Sequence, residues 1–201
     1  MTQVVTKQNA DLPVDRKEIL RYAGCPNDKE LPLLDECLGE AEAVLSFRSC
    51  FRVCDVFTEQ ERVRFDSLPT LVSFDLSRAL HGCRRAVIFA ATAGVGIDRL
   101  IIKYGRIAPS RALLLQAIGA ERIETFVGAL CADLRQRFSA EGSTLRPRFS
   151  PGYGDFPLAF QRDIFSLLDC PKRIGVTLND SLLMSPSKSV TAVVGIAEQG
   201  D

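Results

Sequence analysis

The sequence predicts an α+β domain: a mixed, mainly antiparallel sheet built around one long central helix. Helical and strand-like stretches follow one another along the 201 residues without the strict alternation that parallel crossovers impose. One apolar stripe outruns the others, passing through Leu114, Ile118, Phe126, Leu130, Leu134 and Phe138 at helical spacing. Such a stripe marks the helix that backs the core.

Taken in order, residues 1–14 read as a flexible N-terminal segment. Asp15-Arg-Lys-Glu18 has the form of a capping box, with Gly24 as the stop of a short amphipathic helix. Asn27 to Leu45 repeats apolar residues at Leu31, Leu34, Cys37, Leu38 and Ala41, with Pro32 near its start, as a helix does. Ser49 to Phe57 switches to a strand pattern, so residues 15–58 form a helix and strand extension packed on the rest of a single domain spanning 15–196. Ser77 to Gly82 reads as helix, Arg85 to Thr92 as a buried strand, Ile97 to Tyr104 as helix, and Ser110 to Phe138 as the long helix. Thr144 to Phe149 is strand-like, Leu158 to Leu168 helical, and Arg173 to Leu178 with Ser189 to Ile196 are closing strands before a tail at 197–201.

Charges balance, 25 Lys and Arg against 25 Asp and Glu, which removes the electrostatic footprint of a general nucleic-acid binder. The amino terminus lacks the apolar centre of a secretory signal, and the longest apolar-rich run, Ala86 to Ile97, is too short to span a bilayer. A cytoplasmic protein without membrane or nucleic-acid partners is expected. Seven scattered cysteines without a Cys-x-x-Cys pair read as reduced thiols packed as small apolar groups. Cys50 and Cys54 fall on one face of a strand, but His81 is the single histidine, and no metal site is expected.

Three places carry candidate chemistry. Phe89 to Ile97 (FAATAGVGI) follows a strand and opens a helix, as phosphate loops do, yet Arg99 stands where the dinucleotide fingerprint needs its third glycine. It reads as a tight strand-to-helix turn in which Thr92 and Gly94 would line a cleft. Glu124 lies at the border of the long helix's apolar stripe, a position that suits either a carboxylate at a pocket's edge or a solvated one. The turn Arg148 to Pro157 (RFSPGYGDFP) is the most demanding. Pro151 restrains Ser150 to extended geometry, Gly152 and Gly154 permit backbone angles closed to other residues, and Pro157 suits the next helix's first turn. Tyr153 adds an aromatic face, and Arg148 offers a planar fork to a carboxylate or phosphate. Such a turn presents bare backbone to a flat ligand, and the candidate ligand-binding set is Glu124, Arg148, Ser150, Gly152, Tyr153 and Gly154.

At these residues the chain resembles the S-adenosylmethionine-binding reactivation (activation) domain of cobalamin-dependent methionine synthase, in its short free-standing form. The family's Arg-x-x-x-Gly-Tyr motif stands here as Arg148-Phe-Ser-Pro-Gly152-Tyr153. The likeness extends through FAATAG, through the long helix with Glu124 in the place of the family's acid, and into Leu178-Asn-Asp-Ser-Leu-Leu-Met-Ser-Pro186. The blocks SPGYGDFPL, CPKRIG and SPSKSV belong to it, and it covers residues 80 to 196.

The resemblance implies a domain that holds S-adenosylmethionine over the cobalt of a cobalamin carried by a partner. That partner would be a cobalamin-dependent methionine synthase lacking its own activation domain. One electron, from flavodoxin or another donor, would turn inactive cob(II)alamin into cob(I)alamin, which takes the methyl group, so this component of the methyltransferase system would show little activity alone. Arg148 would hold the methionyl carboxylate, Tyr153 would lie near the sulfonium, backbone from Arg148 to Gly152 would meet adenine edges, and Glu124 a ribose hydroxyl or the amino group. The chain departs from the family in lacking its early Asp with a Pro-Phe-Phe run, and Ser181-Leu-Leu-Met-Ser-Pro186 lacks the family's aromatic. A tyrosine-rich stretch is replaced by Val190 to Ile196. These departures motivate an alternative: a noncatalytic assembly subunit of a corrinoid methyltransferase without productive S-adenosylmethionine binding.

Overall fold

Ala86, Ile88 and Ala90 point to one side of their strand and Val87, Phe89 and Ala91 to the other, and all six are buried. The sheet therefore has a covered face on each side, and the rest of the chain supplies the covers. A computed structural model describes residues 1–7, 12–25 and 31–198. In chain order these form β1 (Gln3–Lys7), α1 (Arg16–Ala23), α2 (Leu31–Glu42), β2 (Phe47–Glu59), β3 (Arg62–Phe65), β4 (Leu71–Val72) and α3 (Phe74–Ala79). There follow β5 (Cys83–Thr92), α4 (Val95–Tyr104), α5 (Pro109–Ala140), β6 (Ser143–Leu145), a 3-10 turn (Leu158–Phe160), α6 (Gln161–Leu168), α7 (Cys170–Ile174), β7 (Thr177–Leu178), β8 (Met184–Ser185) and β9 (Ser189–Glu198).

The main sheet runs β4-β3-β2-β5-β9-β6, with β1 also paired to β2, and every one of these pairings is antiparallel. A separate two-stranded ribbon joins β7 to β8. This is the mixed α+β fold with a mainly antiparallel sheet and a long helix.

The long helix, 32 residues and so about 48 Å, does two jobs along its length. Its second half lays Ile123, Phe126, Val127, Leu130, Leu134 and Phe138 on the face formed by Phe47, Phe51, Val87, Phe89 and Val194. Its first half projects Leu114, Leu115 and Ile118 against Ile19, Leu20, Leu34 and Cys37 of α1 and α2. The opposite face of the sheet, with Cys50, Cys54, Ile88 and Val193, is covered by Phe156, Phe160, Ile164, Phe165 and Leu168. Removing a fully buried ring such as Phe126 would cost about 3–5 kcal/mol.

Several boundaries differ from the sequence expectations for identifiable reasons. Within the segment expected to be flexible, Gln3–Lys7 pairs with β2, in register Gln3 to Phe51. Residues 8–11, 26–30 and 199–201 lie outside the described residues, and β9 carries order into the expected tail as far as Glu198. Asp15 does cap α1, accepting from the Glu18 N–H, but Glu18 turns to Arg21 and the Asp15 N–H is met by Glu121 of α5. The expected strand over Arg173 to Leu178 is corrected: Cys170–Ile174 is helical, because Pro171 sits in the first turn with its φ preset, and Gly175 ends the helix. Only Thr177–Leu178 of that stretch is strand. The strand read over Thr144 to Phe149 is regular through Leu145 and then touches β9 again at one bridge, Phe149 to Val193.

All seven cysteines carry free thiols. Cys50 and Cys54 both face the α6 side of the sheet, where Cys50 meets the thiol of Cys170. That contact lowers the Cys50 pKa and raises that of Cys170, while burial pushes Cys54 up to about 12. Among the described residues no group of three or more His, Cys, Asp or Glu side chains could hold a metal ion, and no helix is long and apolar enough to cross a membrane.

Candidate ligand-binding site

The Arg148–Pro157 turn is fastened at three points. At its entry Phe149 exchanges both backbone hydrogen bonds with Val193 of β9, each 2.8 Å. In its middle the Phe156 ring is buried, stacked on Phe149 with centroids 6.0 Å apart and tilted against Phe160 at 5.5 Å. At its exit the Asp155 carboxylate accepts from the Ser73 hydroxyl (2.5 Å), the Phe74 N–H (2.7 Å) and the Asp75 N–H (3.1 Å), tying the turn to the start of α3. These donors, the Ser73 hydroxyl foremost, hold the Asp155 pKa below its ordinary value.

The two glycines make the bend possible. Gly152 has φ +93° and Gly154 φ +55°, and a Cβ on Gly154 would stand 2.2 Å from Asp75 Oδ2. The bend closes on itself: the Gly152 N–H donates to the Phe156 carbonyl (2.9 Å), and the Tyr153 N–H to that of Ser150 (3.2 Å). The expected row of bare amides is therefore corrected at Phe149, Gly152 and Tyr153, whose N–H groups already have backbone partners.

Beside this turn lies a cavity of about 420 Å³. Glu124 reaches it from α5, Arg148, Ser150 and Tyr153 from the turn, Gln161 from α6, and Ser189 and Thr191 from β9. Four of the six candidate residues thus share one cavity; Gly152 and Gly154 do not line it and serve the bend instead. Phe149, Pro151, Met184 and Val190 add apolar walls.

Within the cavity Arg148 donates from Nη2 to the Glu124 carboxylate, an ion pair whose side chains are 36% and 41% exposed. The pair also borders a second hollow of about 370 Å³ that holds Cys131, Arg135 and Arg146. Tyr153, 69% exposed, leaves its ring open to solvent at the mouth. The Ser189 hydroxyl is engaged with the Pro186 carbonyl (2.7 Å) and the Thr92 hydroxyl (2.9 Å).

Thr92 and Gly94 line a different hollow, about 490 Å³, with Arg48, Arg99 and the start of α4. The Gly94 N–H donates to Thr92 Oγ1 at 3.1 Å, which gives the FAATAGVGI turn its own closure.

Sequence reasoning missed Gln161, Met184, Ser189 and Thr191. For Gln161 a signal existed. It occupies the first place in the α6 stripe continued by Ile164, Phe165 and Leu168, where a polar residue breaks the pattern.

Comparisons with known proteins agree with this architecture. Across its full length the chain superposes on a solved structure described as the MetH reactivation domain bound to AdoHcy, with TM-score 0.68, 15% sequence identity and 80% of that chain covered. Among curated proteins none matches the sequence. The family model described as vitamin B12 dependent methionine synthase, activation domain, matches residues 84–200. That match takes in all but the first residue of β5, the long helix, the Arg148–Pro157 turn and β9, more than half of the sequence, and the chain therefore belongs to the family of vitamin B12-dependent methionine synthase activation domains.

Proposed function

We propose that the protein is an S-adenosylmethionine-binding reactivation subunit that supports reductive remethylation of cob(II)alamin on a separate cobalamin-dependent methionine synthase. The observation that carries this reading is the shared cavity, where a guanidinium, a carboxylate and an exposed phenol converge beside a rigid bend. Its volume, about 420 Å³, falls in the ~300–1,000 Å³ range of small-molecule pockets. The related domain of known structure is described as bound to AdoHcy, the product left when the methyl group departs.

The methionyl end of the ligand is a zwitterion. Its carboxylate suits the Arg148 fork and its ammonium suits Glu124, so one ion pair in the protein would be exchanged for two with the ligand. Tyr153 offers electron-rich aromatic surface to the sulfonium. Ser150 would stand with the Arg148 backbone beside the adenosyl part, while Gly152 and Gly154 hold the bend that positions both. The cobalamin, which the partner synthase and not this chain would hold, would supply a nucleophilic cobalt once reduced by one electron, and S-adenosylhomocysteine would be the product left on this chain's residues. What this chain contributes is a positioned methyl donor. The partner is a methionine synthase without its own activation domain, the electron comes from flavodoxin or another one-electron donor, and the setting is the cytoplasm.

The test follows the absorption spectrum of purified partner synthase in the cob(II)alamin state, given reductant and S-adenosylmethionine. Methylcobalamin is expected to accumulate when this protein is added and to stay low without it. Identical traces in the two arms would overturn the reading.

A further inference from the structure

Gln161 opens α6 and is 5% exposed, yet it lines the cavity. Its Oε1 is buried and accepts no hydrogen bond among the described residues. Buried carboxamides in native proteins are normally partnered, because an unmet acceptor keeps its full desolvation cost. Two other buried side-chain oxygens share this condition, Ser49 Oγ and Glu121 Oε2, but neither lines this cavity. The neighbouring Ser189 hydroxyl is engaged with Pro186 and Thr92 and does not serve Gln161.

The cavity joins two chemically different ends. Glu124 belongs to α5, which covers one face of the sheet, and Gln161 to α6, which covers the other; the space beside β9 reaches both. The α5 end is charged, with Glu124 and Arg148. The α6 end is neutral, with Gln161 beside the apolar side chains of Phe149 and Met184. An elongated ligand with a zwitterionic head and a flat, neutral heteroaromatic tail satisfies both ends.

We infer that Gln161 reads the adenine base: Oε1 accepts from the exocyclic 6-amino group and the Nε2 amide donates to N7. A glutamine carboxamide matches that donor and acceptor edge in a bidentate pair, and the pairing supplies the donor that Oε1 lacks. This rests on the S-adenosylmethionine reading above and assigns base specificity within it to a side chain, in addition to the turn's backbone.

Calorimetry on the full chain with two ligands tests it: S-adenosylhomocysteine, and its inosine counterpart, in which a 6-oxo acceptor replaces the amino donor. The unaltered protein is expected to prefer the adenosyl ligand by roughly tenfold or more. Gln161→Met keeps the side chain's length, removes both hydrogen-bonding ends, and is expected to weaken adenosyl binding about tenfold and bring the preference close to one. A purely structural glutamine would shift the melting temperature of the variant and leave the ratio of the two affinities untouched. Equal binding of both ligands by the unaltered protein, or an unchanged ratio in Gln161→Met, overturns the inference while the functional reading stands. No binding of either ligand by the unaltered protein overturns both. Should Gln161→Met fail to fold, Gln161→Leu provides a second variant, judged by the same ratio: a ratio that falls supports the inference and an unchanged one overturns it.

Discussion

Arg148 and Glu124 hold one another across the wall shared by two hollows, the guanidinium donating to a carboxylate that projects from α5. Both side chains are more than a third exposed, so water screens the pair and its share of folding stability is about 0–1 kcal/mol. Under the proposed function its weight falls on the ligand instead. Arg148→Ala should weaken S-adenosylmethionine binding by ~1.5–3 kcal/mol, roughly ten- to a hundredfold, while moving the melting temperature by no more than about 2–4 °C. Calorimetry beside a thermal melt checks both halves; unchanged affinity would remove Arg148 from the site.

A second pair on the same helix behaves in the opposite way. Arg122 and Glu121 are 1% and 2% exposed. Arg122 donates to the carbonyls of Pro13 (2.5 Å) and Leu12 (3.1 Å), while Glu121 accepts from the Asp15 N–H (3.1 Å) and the Thr125 hydroxyl (2.7 Å). The long helix thereby clamps the segment that leads into α1. Arg122→Ala leaves a buried carboxylate without its cation and should cost about 3–5 kcal/mol. Urea denaturation reads that loss, and trypsin should cut faster after Arg16 and Lys17 once the clamp is gone. A loss under about 1 kcal/mol with unchanged cleavage would show the clamp to be idle.

Where the physics is local, the sequence displays it. The α5 stripe is legible because the helix buries one side over most of its length, and β5 because a strand covered on both faces needs apolar residues at successive positions. β1 is not legible: its Val4 is 46% exposed, and what orders it is an edge of β2 supplied by distant residues. Arg148, Tyr153 and Glu124 stand out because their chemistry exceeds what a turn or a helix surface requires. Gln161 reaches the same cavity from across the sheet, a juxtaposition set by the placement of α6 relative to β9 and visible in sequence only as one polar residue in an apolar stripe.

Gly154 allows a sharper test of the turn's rigidity. At φ +55° any side chain is strained, and a Cβ there would also meet Asp75 Oδ2, whose carboxylate would have to turn aside. Gly154→Ala should destabilise the fold by more than ~1 kcal/mol. It should also weaken ligand binding, although Gly154 does not line the cavity, because Tyr153 and Arg148 ride on the same bend. Calorimetric affinity equal to that of the unaltered protein would uncouple the bend from the site.

Asp155 sets the acid limit of that attachment. Its carboxylate accepts from the Ser73 hydroxyl and from two amides at the start of α3, which holds its pKa below the ordinary 3.8. A folded-state pKa below the unfolded one means that the charged form stabilises the fold at every pH above 3.8. This contribution is lost as pH falls from 3.8 through the lower, folded value. Asp155→Asn retains an oxygen for the amides but cannot ionise. The stability gap between the unaltered protein and this variant should therefore hold constant at neutral and mildly acidic pH and close below 3.8. Urea midpoints measured for both proteins down through that window give the gap directly, and a gap that persists unchanged in acid would mean the charge of Asp155 does not fasten the turn to α3.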